Sequence, residues 1–156
     1  MNLEIVRGSP GTDGSRAASP QAKDSMAYGK RVRVLVVDDE PSICKALSIA
    51  LTRAGYEAVT AQNGESALAI VRTEHVDVML IDLRIPDMRG DVIFQVAAGH
   101  QQQLRYQTLF MTGDITERAY KLIAACNCNF LRKPFDLRDM TDAVAALSPQ
   151  VHDQTA

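Results

Sequence analysis

Apolar and polar positions follow two patterns along residues 30–147, one typical of strands and one typical of helices. Five short runs of strand length, the first of them rich in β-branched residues, indicate strands, and each precedes a segment with apolar residues at helical spacing. The predicted strands are 30–37, 57–61, 76–82, 107–111 and 129–132, and the predicted helices are 41–54, 64–74, 91–99, 116–125 and 136–147. Five β/α units in sequence predict an α/β fold, a doubly wound five-stranded parallel sheet with right-handed crossovers.

Local signals mark the ends of the first two predicted helices. Pro41 suits the first position of a helix, where its missing N–H group costs nothing, and Gly55 is a typical C-terminal stop. Asn63 stands where a side chain can cap the second helix. These signals support the helix boundaries that the apolar pattern predicts.

Composition divides the chain into three parts. Residues 1–29 are rich in Gly, Ser, Pro and charge, which predicts a disordered N-terminal arm. Residues 30–148 form the predicted domain, and residues 149–156 form a polar C-terminal tail. We expect no DNA-binding or enzymatic output domain after Leu147, because too few residues follow it.

Bulk composition narrows the function classes. The 156 residues are 46% hydrophobic, which suits one globular domain. A formal net charge of −2 argues against direct binding to nucleic acid or anionic membranes. No apolar run approaches the ~18 residues of a membrane span, and no secretory signal core is present. We therefore expect a cytoplasmic protein.

The cysteine content agrees with that compartment. The three cysteines are odd in number, which favours reduced thiols in the cytoplasm. Cys126 and Cys128 could suggest a metal or redox pair, but no second ligand cluster follows them. We interpret both as small, partly buried thiols.

The central apolar run, residues 76–82, ends on a carboxylate. Pro86 and Gly90 in the following segment indicate a loop rather than a continuing strand. In a parallel sheet, the carboxyl ends of the strands border the crevice where ligands bind. Asp82 is therefore the first candidate for chemistry, although a single Asp at a strand end is more often an ordinary solvated residue.

Polar residues follow three other predicted strands in the same way. Asp38 and Asp39 follow the first strand, Thr112 the fourth and Lys133 the fifth. In a parallel sheet these residues share one edge with Asp82. Taken singly, Thr112 could merely cap a turn, and Lys133 could be a solvated loop residue.

Three carboxylates at one edge require a positive partner. At ~5 Å and an effective dielectric constant of ~20, each carboxylate pair costs roughly 3 kcal/mol. Mg²⁺ suits such an oxygen-rich site, and Lys133 supplies a second positive charge. Together they would attract a phosphoryl group, toward which a carboxylate can act as the nucleophile.

These residues resemble the receiver domains of two-component response regulators. The resemblance covers residues 32–147 and rests on 34–40 (VLVVDDE), Asp82 with Pro86 and Gly90, 110–113 (FMTG) and 130–135 (FLRKPF). Residues 112–114 are similar to those of hybrid sensor kinases and stand-alone receivers. The resemblance implies a flavodoxin-like (βα)5 fold with strand order 2-1-3-4-5. Where receivers commonly carry a Gly-Ala pair, this chain has Cys126 and Asn127, and Asn tolerates the left-handed conformation that the turn requires.

The resemblance also implies a metal site and a phosphoacceptor. Asp82 would accept the phosphoryl group, with Mg²⁺ as cofactor. Asp39 would bind the ion directly, Asp38 would assist through water, and the backbone carbonyl of Arg84 would be a further ligand. Lys133 would pair with the phosphoryl group.

A conformational switch is implied as well. Thr112 would move its hydroxyl toward the phosphoryl group, and Phe130 would repack as Thr112 moves; taken without the family, Phe130 at strand spacing belongs to the core by default. The partners implied are a histidine kinase or phosphotransfer protein as donor and a downstream protein that binds the fourth helix, fifth strand and fifth helix. No separate substrate is turned over, so the chain is not expected to be an enzyme in its own right.

Two alternatives stay open. A degenerate receiver could act only as a dimerisation module through its last two helices, and an active receiver could also form a homodimer. An Mg²⁺-dependent phosphatase with an aspartyl-phosphate intermediate would need its nucleophile in an Asp-x-Asp motif after the first strand, together with a cap insertion. The segment Asp38-Asp39-Glu40 does not match that pattern.

Overall fold

Strands and helices alternate throughout the computed structural model, which describes residues 31–113 and 116–149. The strands are β1 (Arg33–Val37), β2 (Glu57–Ala61), β3 (Val78–Asp82), β4 (Thr108–Thr112) and β5 (Asn129–Arg132). The helices are α1 (Pro41–Arg53), α2 (Gly64–Thr73), α3 (Gly90–His100), α4 (Glu117–Cys126) and α5 (Leu137–Leu147), with a 3-10 helix at Gln102–Arg105. The predicted arm at 1–29 and all but the first residue of the predicted tail at 149–156 lie outside the described residues.

The strands form one parallel sheet in the order β2-β1-β3-β4-β5, which confirms the predicted fold class and strand order. Successive residues of the central strands point to opposite faces. Leu35 and Met79 join a core that includes side chains of α2, α3 and α4. Val36 and Leu80 join a second core that includes side chains of α1 and α5. The sheet is therefore covered on both faces, which explains its continuous apolar runs.

The predicted helix boundaries agree with the structure to within one residue, whereas two strands begin two or three residues later than predicted. β1 begins at Arg33 rather than residue 30, and β3 begins at Val78 rather than residue 76. Glutamine side chains bind the backbone just before β3: Gln101 Oε1 accepts from the Val76 N–H at 2.9 Å, and the Gln107 side-chain amide donates to the Asp77 carbonyl. These side chains take backbone groups that strand pairing would otherwise use.

Helix signals in the sequence act as predicted. Pro41 occupies the first turn of α1, and the Asn63 side chain accepts a hydrogen bond from the Ser66 N–H at 2.7 Å. Asn127 ends α4 in the left-handed conformation, with φ of 59°. The turn before β5 therefore forms without the glycine that receivers commonly use there.

An ion pair between the exposed Arg89 and the buried Asp91 fastens the start of α3. Arg89 donates two hydrogen bonds to Asp91, at 2.7 and 3.0 Å, and the Asp91 side chain is only 11% exposed. The Arg89 hydrogen bonds lower the pKa of Asp91, against an opposing contribution from desolvation. The charged form of Asp91 therefore stabilises the folded state.

We expect Asp91→Asn to lower the free energy of unfolding by about 1 kcal/mol at neutral pH. Because the folded pKa lies below the unfolded value of about 4, this contribution is present above about pH 4 and is lost as the pH falls through the folded pKa. Urea unfolding at a series of pH values would measure it. Asp142 is an exposed residue of α5, and the control substitution Asp142→Asn should change stability little at any pH. A stability difference between Asp91→Asn and the wild type that persists in acid would contradict the prediction.

Candidate functional site

The carboxyl ends of four strands bring the predicted site residues to one edge of the sheet. Asp38 and Asp39 follow β1, Asp82 ends β3, Thr112 ends β4 and Lys133 follows β5. Carboxylate oxygens of the three aspartates all lie within 4.8 Å of one another. The edge thus concentrates negative charge where the sequence predicts it.

Asp38 is the most firmly held of these carboxylates. Its side chain is fully buried, and its Oδ1 accepts a hydrogen bond from the Glu40 N–H at 2.9 Å. The buried Cys44 thiol donates to the Asp38 carbonyl at 3.3 Å. Asp39 is exposed. One carboxylate of the pair is therefore fixed by the fold, while the other faces solvent.

Lys133 bridges two of the carboxylates. Its Nζ atom lies 2.7 Å from Asp38 Oδ2 and 2.8 Å from Asp82 Oδ2. Its backbone N–H donates to the Thr112 carbonyl at 2.8 Å, which extends the pairing of β4 and β5 to the site. Burial alone would lower the pKa of Lys133, but the hydrogen bonds to Asp38 and Asp82 outweigh that effect and raise the pKa. Lys133 is therefore a fixed ammonium rather than a solvated loop residue.

Asp82 lies in a largely desolvated position, with 8% of the residue exposed. Burial raises the pKa of its carboxyl group, and hydrogen bonds from Lys133 and the Arg84 N–H oppose that rise. The Arg84 N–H donates to Asp82 Oδ1 at 2.9 Å. One oxygen of Asp82 thus contacts the following loop, and the other contacts Lys133.

Gly90 allows α3 to approach the backbone of Asp82. A Cβ atom at Gly90 would lie 2.6 Å from the Asp82 carbonyl oxygen and 2.9 Å from Leu83 Cα. The Gly90 N–H also donates to the Leu83 carbonyl at 2.9 Å, which closes the loop between β3 and α3 at its base. Only glycine permits this contact without moving the backbone beside Asp82.

The donor set fits a hard divalent cation. All three clustered side chains offer carboxylate oxygens, and one ammonium against three carboxylates leaves an excess of negative charge. Mg²⁺ prefers such oxygen ligands and commonly binds one or two carboxylates together with water. Among the described residues, Cys126 and Cys128 do not belong to a group of three or more potential metal ligands. Burial, with a smaller contribution from Cys126, raises the pKa of Cys128 to about 12. Cys128 is partly buried, as predicted, whereas Cys126 is buried more fully than predicted.

Comparison with known proteins identifies the family of the chain that carries this site. The family model for the response regulator receiver domain matches residues 34–145. The chain belongs to this family. Receiver domains are regulatory rather than classical enzymes, and they usually bind Mg²⁺ at an acidic pocket of the kind formed by Asp38, Asp39 and Asp82. Response regulators interact with histidine kinases and with downstream effectors.

Several relatives of this receiver are transcriptional regulators. It is 33% identical over 123 residues to the probable transcriptional regulatory protein TcrX of Mycobacterium tuberculosis, covering 78% of this chain and 51% of that protein. It is 34% identical over 117 residues to the alkaline phosphatase synthesis regulator PhoP of Bacillus subtilis, covering 74% of this chain and 48% of that protein. The chain therefore spans about half the length of these relatives.

Solved structures agree with the observed fold. The chemotaxis protein CheY4 of Vibrio cholerae superposes with a TM-score of 0.69 at 28% identity, covering 75% of this chain and 98% of that one. A CheY-like receiver domain from Methanospirillum hungatei superposes with a TM-score of 0.70 at 23% identity, covering 75% of this chain and 93% of that one. In the part of this receiver that the structure describes, no helix has the length and apolar character that crossing a membrane requires.

The two predicted switch residues occupy contrasting environments in this receiver. Thr112 is buried at the end of β4, with 1% of its surface exposed. Phe130 is 36% exposed, so the default expectation that it lies in the core is wrong, because β5 is an edge strand. Its ring packs against Tyr120 of α4, with ring centroids 5.5 Å apart. Asp114 lies outside the described residues.

One contact of the loop that follows Asp82 was not predicted from the sequence. Asp87, in the loop between β3 and α3, accepts hydrogen bonds from the N–H groups of Gly64 and Glu65 at 2.8 and 3.2 Å. Capping residues normally precede the helix they cap, and Asp87 lies 23 residues after Gly64. No local sequence signal indicates such a distant contact.

Proposed function

We propose that this receiver accepts a phosphoryl group on Asp82 with the help of Mg²⁺. The observation that carries the proposal is the Lys133 ammonium, which contacts both Asp38 and Asp82 within a cluster of three carboxylates. An uncharged or scattered set of side chains would attract neither a divalent cation nor a phosphoryl group. This cluster suits both, because a cation and Lys133 together offset its negative charge.

Each residue has a distinct part in the proposed transfer. Asp82 supplies a carboxylate oxygen that forms a bond to phosphorus, while the bond between phosphorus and the donor atom breaks and the donor leaves with that electron pair. Lys133 offsets the charge of the transferred phosphoryl oxygens. Bound Mg²⁺, held by Asp38, Asp39, Asp82 and the Arg84 carbonyl, would supply further charge neutralisation.

The signal would then pass to the surface. The Thr112 hydroxyl would turn toward the phosphoryl group, and the half-exposed pair of Phe130 and Tyr120 would repack in response. Both aromatic rings belong to the surface formed by α4, β5 and α5, where a downstream protein would bind. Coupling of this kind is typically about 1–3 kcal/mol, so phosphorylation biases an equilibrium between two states.

The proposed setting follows from the same chemistry. A histidine kinase or phosphotransfer protein would supply the phosphoryl group, and the receiver domain would span residues 30–148. The three cysteines are free thiols, which supports a reducing cytoplasmic compartment. The transcriptional role in the names of TcrX and PhoP belongs to those proteins. The output of this receiver is proposed only as binding to a protein partner.

Intact-mass spectrometry tests the assignment of Asp82 directly. The protein is incubated with a small phosphoryl donor such as acetyl phosphate, with and without Mg²⁺. We expect one added phosphoryl group that requires Mg²⁺ and is absent from Asp82→Ala. Asp142, an exposed residue of α5, provides a matched control, because Asp142→Ala should be phosphorylated like the wild type. If the wild type binds Mg²⁺ but stays unmodified, the phosphoacceptor role fails and a dimerisation module becomes the better account.

A further inference from the structure

We propose that Asp87 is a positioning residue for the site, because it fastens the loop between β3 and α3 to the amino end of α2 and so holds the Arg84 peptide in place. The β3–α3 loop is defined here as residues 83–89. The inference rests on the proposed function, in which the Arg84 carbonyl is a ligand of Mg²⁺. It concerns a contact made by a side chain that is not one of the three clustered carboxylates and whose described hydrogen bonds are to α2.

The contact between Asp87 and α2 uses both carboxylate oxygens. Oδ1 accepts from the Gly64 N–H at 2.8 Å, and Oδ2 accepts from the Glu65 N–H at 3.2 Å. These N–H groups lie in the first turn of α2, where helical N–H groups lack carbonyl partners within the helix and the helix dipole favours negative charge. The Gly64 hydrogen bond is also the main cause of a lowered Asp87 pKa. The carboxylate is therefore well matched to this helix end.

The backbone of α2 packs directly on the same loop. A Cβ atom at Gly64 would lie 2.8 Å from Met88 Cβ and 3.2 Å from Ile93 Cδ1. Gly64 thus allows α2 to approach Met88 closely, just as Gly90 allows α3 to approach the backbone of Asp82 and Leu83. Adjacent residues of the loop, Asp87 and Met88, therefore contact α2 by hydrogen bonding and by packing.

The loop transmits this attachment to the site. Leu83 and Ile85 are buried in the core on either side of Arg84, which is exposed. The Met88 N–H donates to the Ile85 carbonyl at 3.3 Å, so a single turn connects the segment around Arg84 to the segment around Asp87. The Arg84 N–H in turn contacts Asp82 Oδ1. Releasing Asp87 should therefore loosen the peptide that follows the phosphoacceptor.

A second cap on the same helix provides a matched control. The Asn63 side chain accepts from the Ser66 N–H at 2.7 Å, but Asn63 precedes α2 and is not part of the β3–α3 loop. Asn63→Ala removes a cap from α2 and leaves the loop attached. Asp87→Ala removes hydrogen bonds from the same helix end and also releases the loop. A purely structural role would make the two variants alike.

Calorimetric titration with Mg²⁺ alone, on the full chain, separates these cases. We expect both alanine variants to lower the melting temperature by about 3–6 °C. Asp87→Ala should raise the Kd for Mg²⁺ by about threefold to tenfold, whereas Asn63→Ala should leave the Kd within about twofold of the wild type. Asp87→Asn, which keeps one acceptor oxygen, should fall between the wild type and Asp87→Ala. Glu65→Gln removes a nearby charge while keeping the backbone N–H, and it should leave the Kd unchanged.

Hydrogen exchange gives a readout that does not depend on metal. The amides of Arg84 and Gly90 should exchange faster in Asp87→Ala than in the wild type, and Asn63→Ala should leave them unchanged. The inference is overturned if Asp87→Ala binds Mg²⁺ as the wild type does, or if Asn63→Ala weakens binding equally. If the wild type binds no Mg²⁺, the proposed function fails, and unchanged exchange at Arg84 would separately refute the positioning role of Asp87.

Discussion

Lys133→Ala is expected to lower the free energy of unfolding by about 2–4 kcal/mol at neutral pH in the absence of divalent cations, because it removes the cation that bridges two buried carboxylates. The Asp38 side chain is fully buried and the Asp82 side chain is 11% exposed, so neither can be fully solvated after the lysine is lost. Their mutual repulsion then opposes folding. Urea unfolding followed by circular dichroism would measure the loss.

Two variants test whether charge at this position is the cause. Lys121 is 75% exposed and pairs with Glu117 at 3.5 Å, so Lys121→Ala should change stability by no more than about 0.5 kcal/mol. Lys133→Arg keeps the charge and should retain more stability than Lys133→Ala. Added Mg²⁺ should recover part of the loss in Lys133→Ala, because a cation that binds only the folded state stabilises it. A Lys133→Ala protein as stable as the wild type would contradict the bridging role.

The same substitutions should separate stability from chemistry. The Nζ atom of Lys133 lies 2.8 Å from Oδ2 of Asp82, the proposed phosphoacceptor. Losing a preorganised charged donor of this kind typically costs about 10²–10³ in rate. We expect Lys133→Ala to be phosphorylated at least about 100-fold more slowly than the wild type, and Lys133→Arg to remain impaired despite its charge, because the guanidinium has a different shape. Equal phosphorylation rates in Lys133→Arg and the wild type would assign the effect to charge alone.

Gly90→Ala is the second substitution with a large expected effect. Its Cβ atom would lie 2.6 Å from the Asp82 carbonyl oxygen and 2.9 Å from Leu83 Cα, both of which are backbone atoms. Backbone atoms cannot move aside as a flexible side chain can, so the helix or the strand end must shift. We expect a loss of about 3 kcal/mol in the free energy of unfolding, measured by urea denaturation.

A glycine at the other end of α3 provides the control for Gly90→Ala. A Cβ atom at Gly99 would meet no atom within 4 Å. Gly99→Ala should therefore stabilise the protein by about 0.5 kcal/mol, through the lower entropy of the unfolded chain and the better helix propensity of alanine. Opposite signs for the two substitutions would establish that close packing on Asp82, rather than helix propensity, constrains Gly90. A mild effect at Gly90 would contradict this account.

Part of the candidate site could be predicted from the residues that stand at the ends of the predicted strands. Asp38, Asp82 and Thr112 could be placed at one edge because each follows or ends an apolar run, and parallel strands direct their carboxyl ends the same way. The sequence placed Lys133 at the same edge but did not indicate that it contacts both Asp38 and Asp82. From the sequence, Lys133 could also have been a solvated loop residue. Their roles in phosphorylation remain predictions that the mass-spectrometric experiment addresses.

The environments of Phe130 and Asp87 could not be predicted from the sequence pattern. Phe130 stands in an apolar pattern that suits a buried strand, yet β5 is the last strand of the sheet and leaves its ring half-exposed against Tyr120. Asp87 stands in a loop with the composition of an ordinary turn, yet it caps a helix that begins 23 residues earlier. Neither outcome depends on neighbours in sequence, so neither could be derived from local pattern.

The sequence by itself determined the five β/α units, their helix ends at Pro41, Asn63 and Asn127, and the edge of the sheet that carries the acidic residues. These features depend on spacing over a few residues and on the intrinsic preferences of individual side chains. Only the tertiary structure decided that Lys133 contacts carboxylates 95 and 51 residues earlier, and that α2 rests on the β3–α3 loop. The physical reason is that such contacts depend on strand order and close packing, which no local segment specifies.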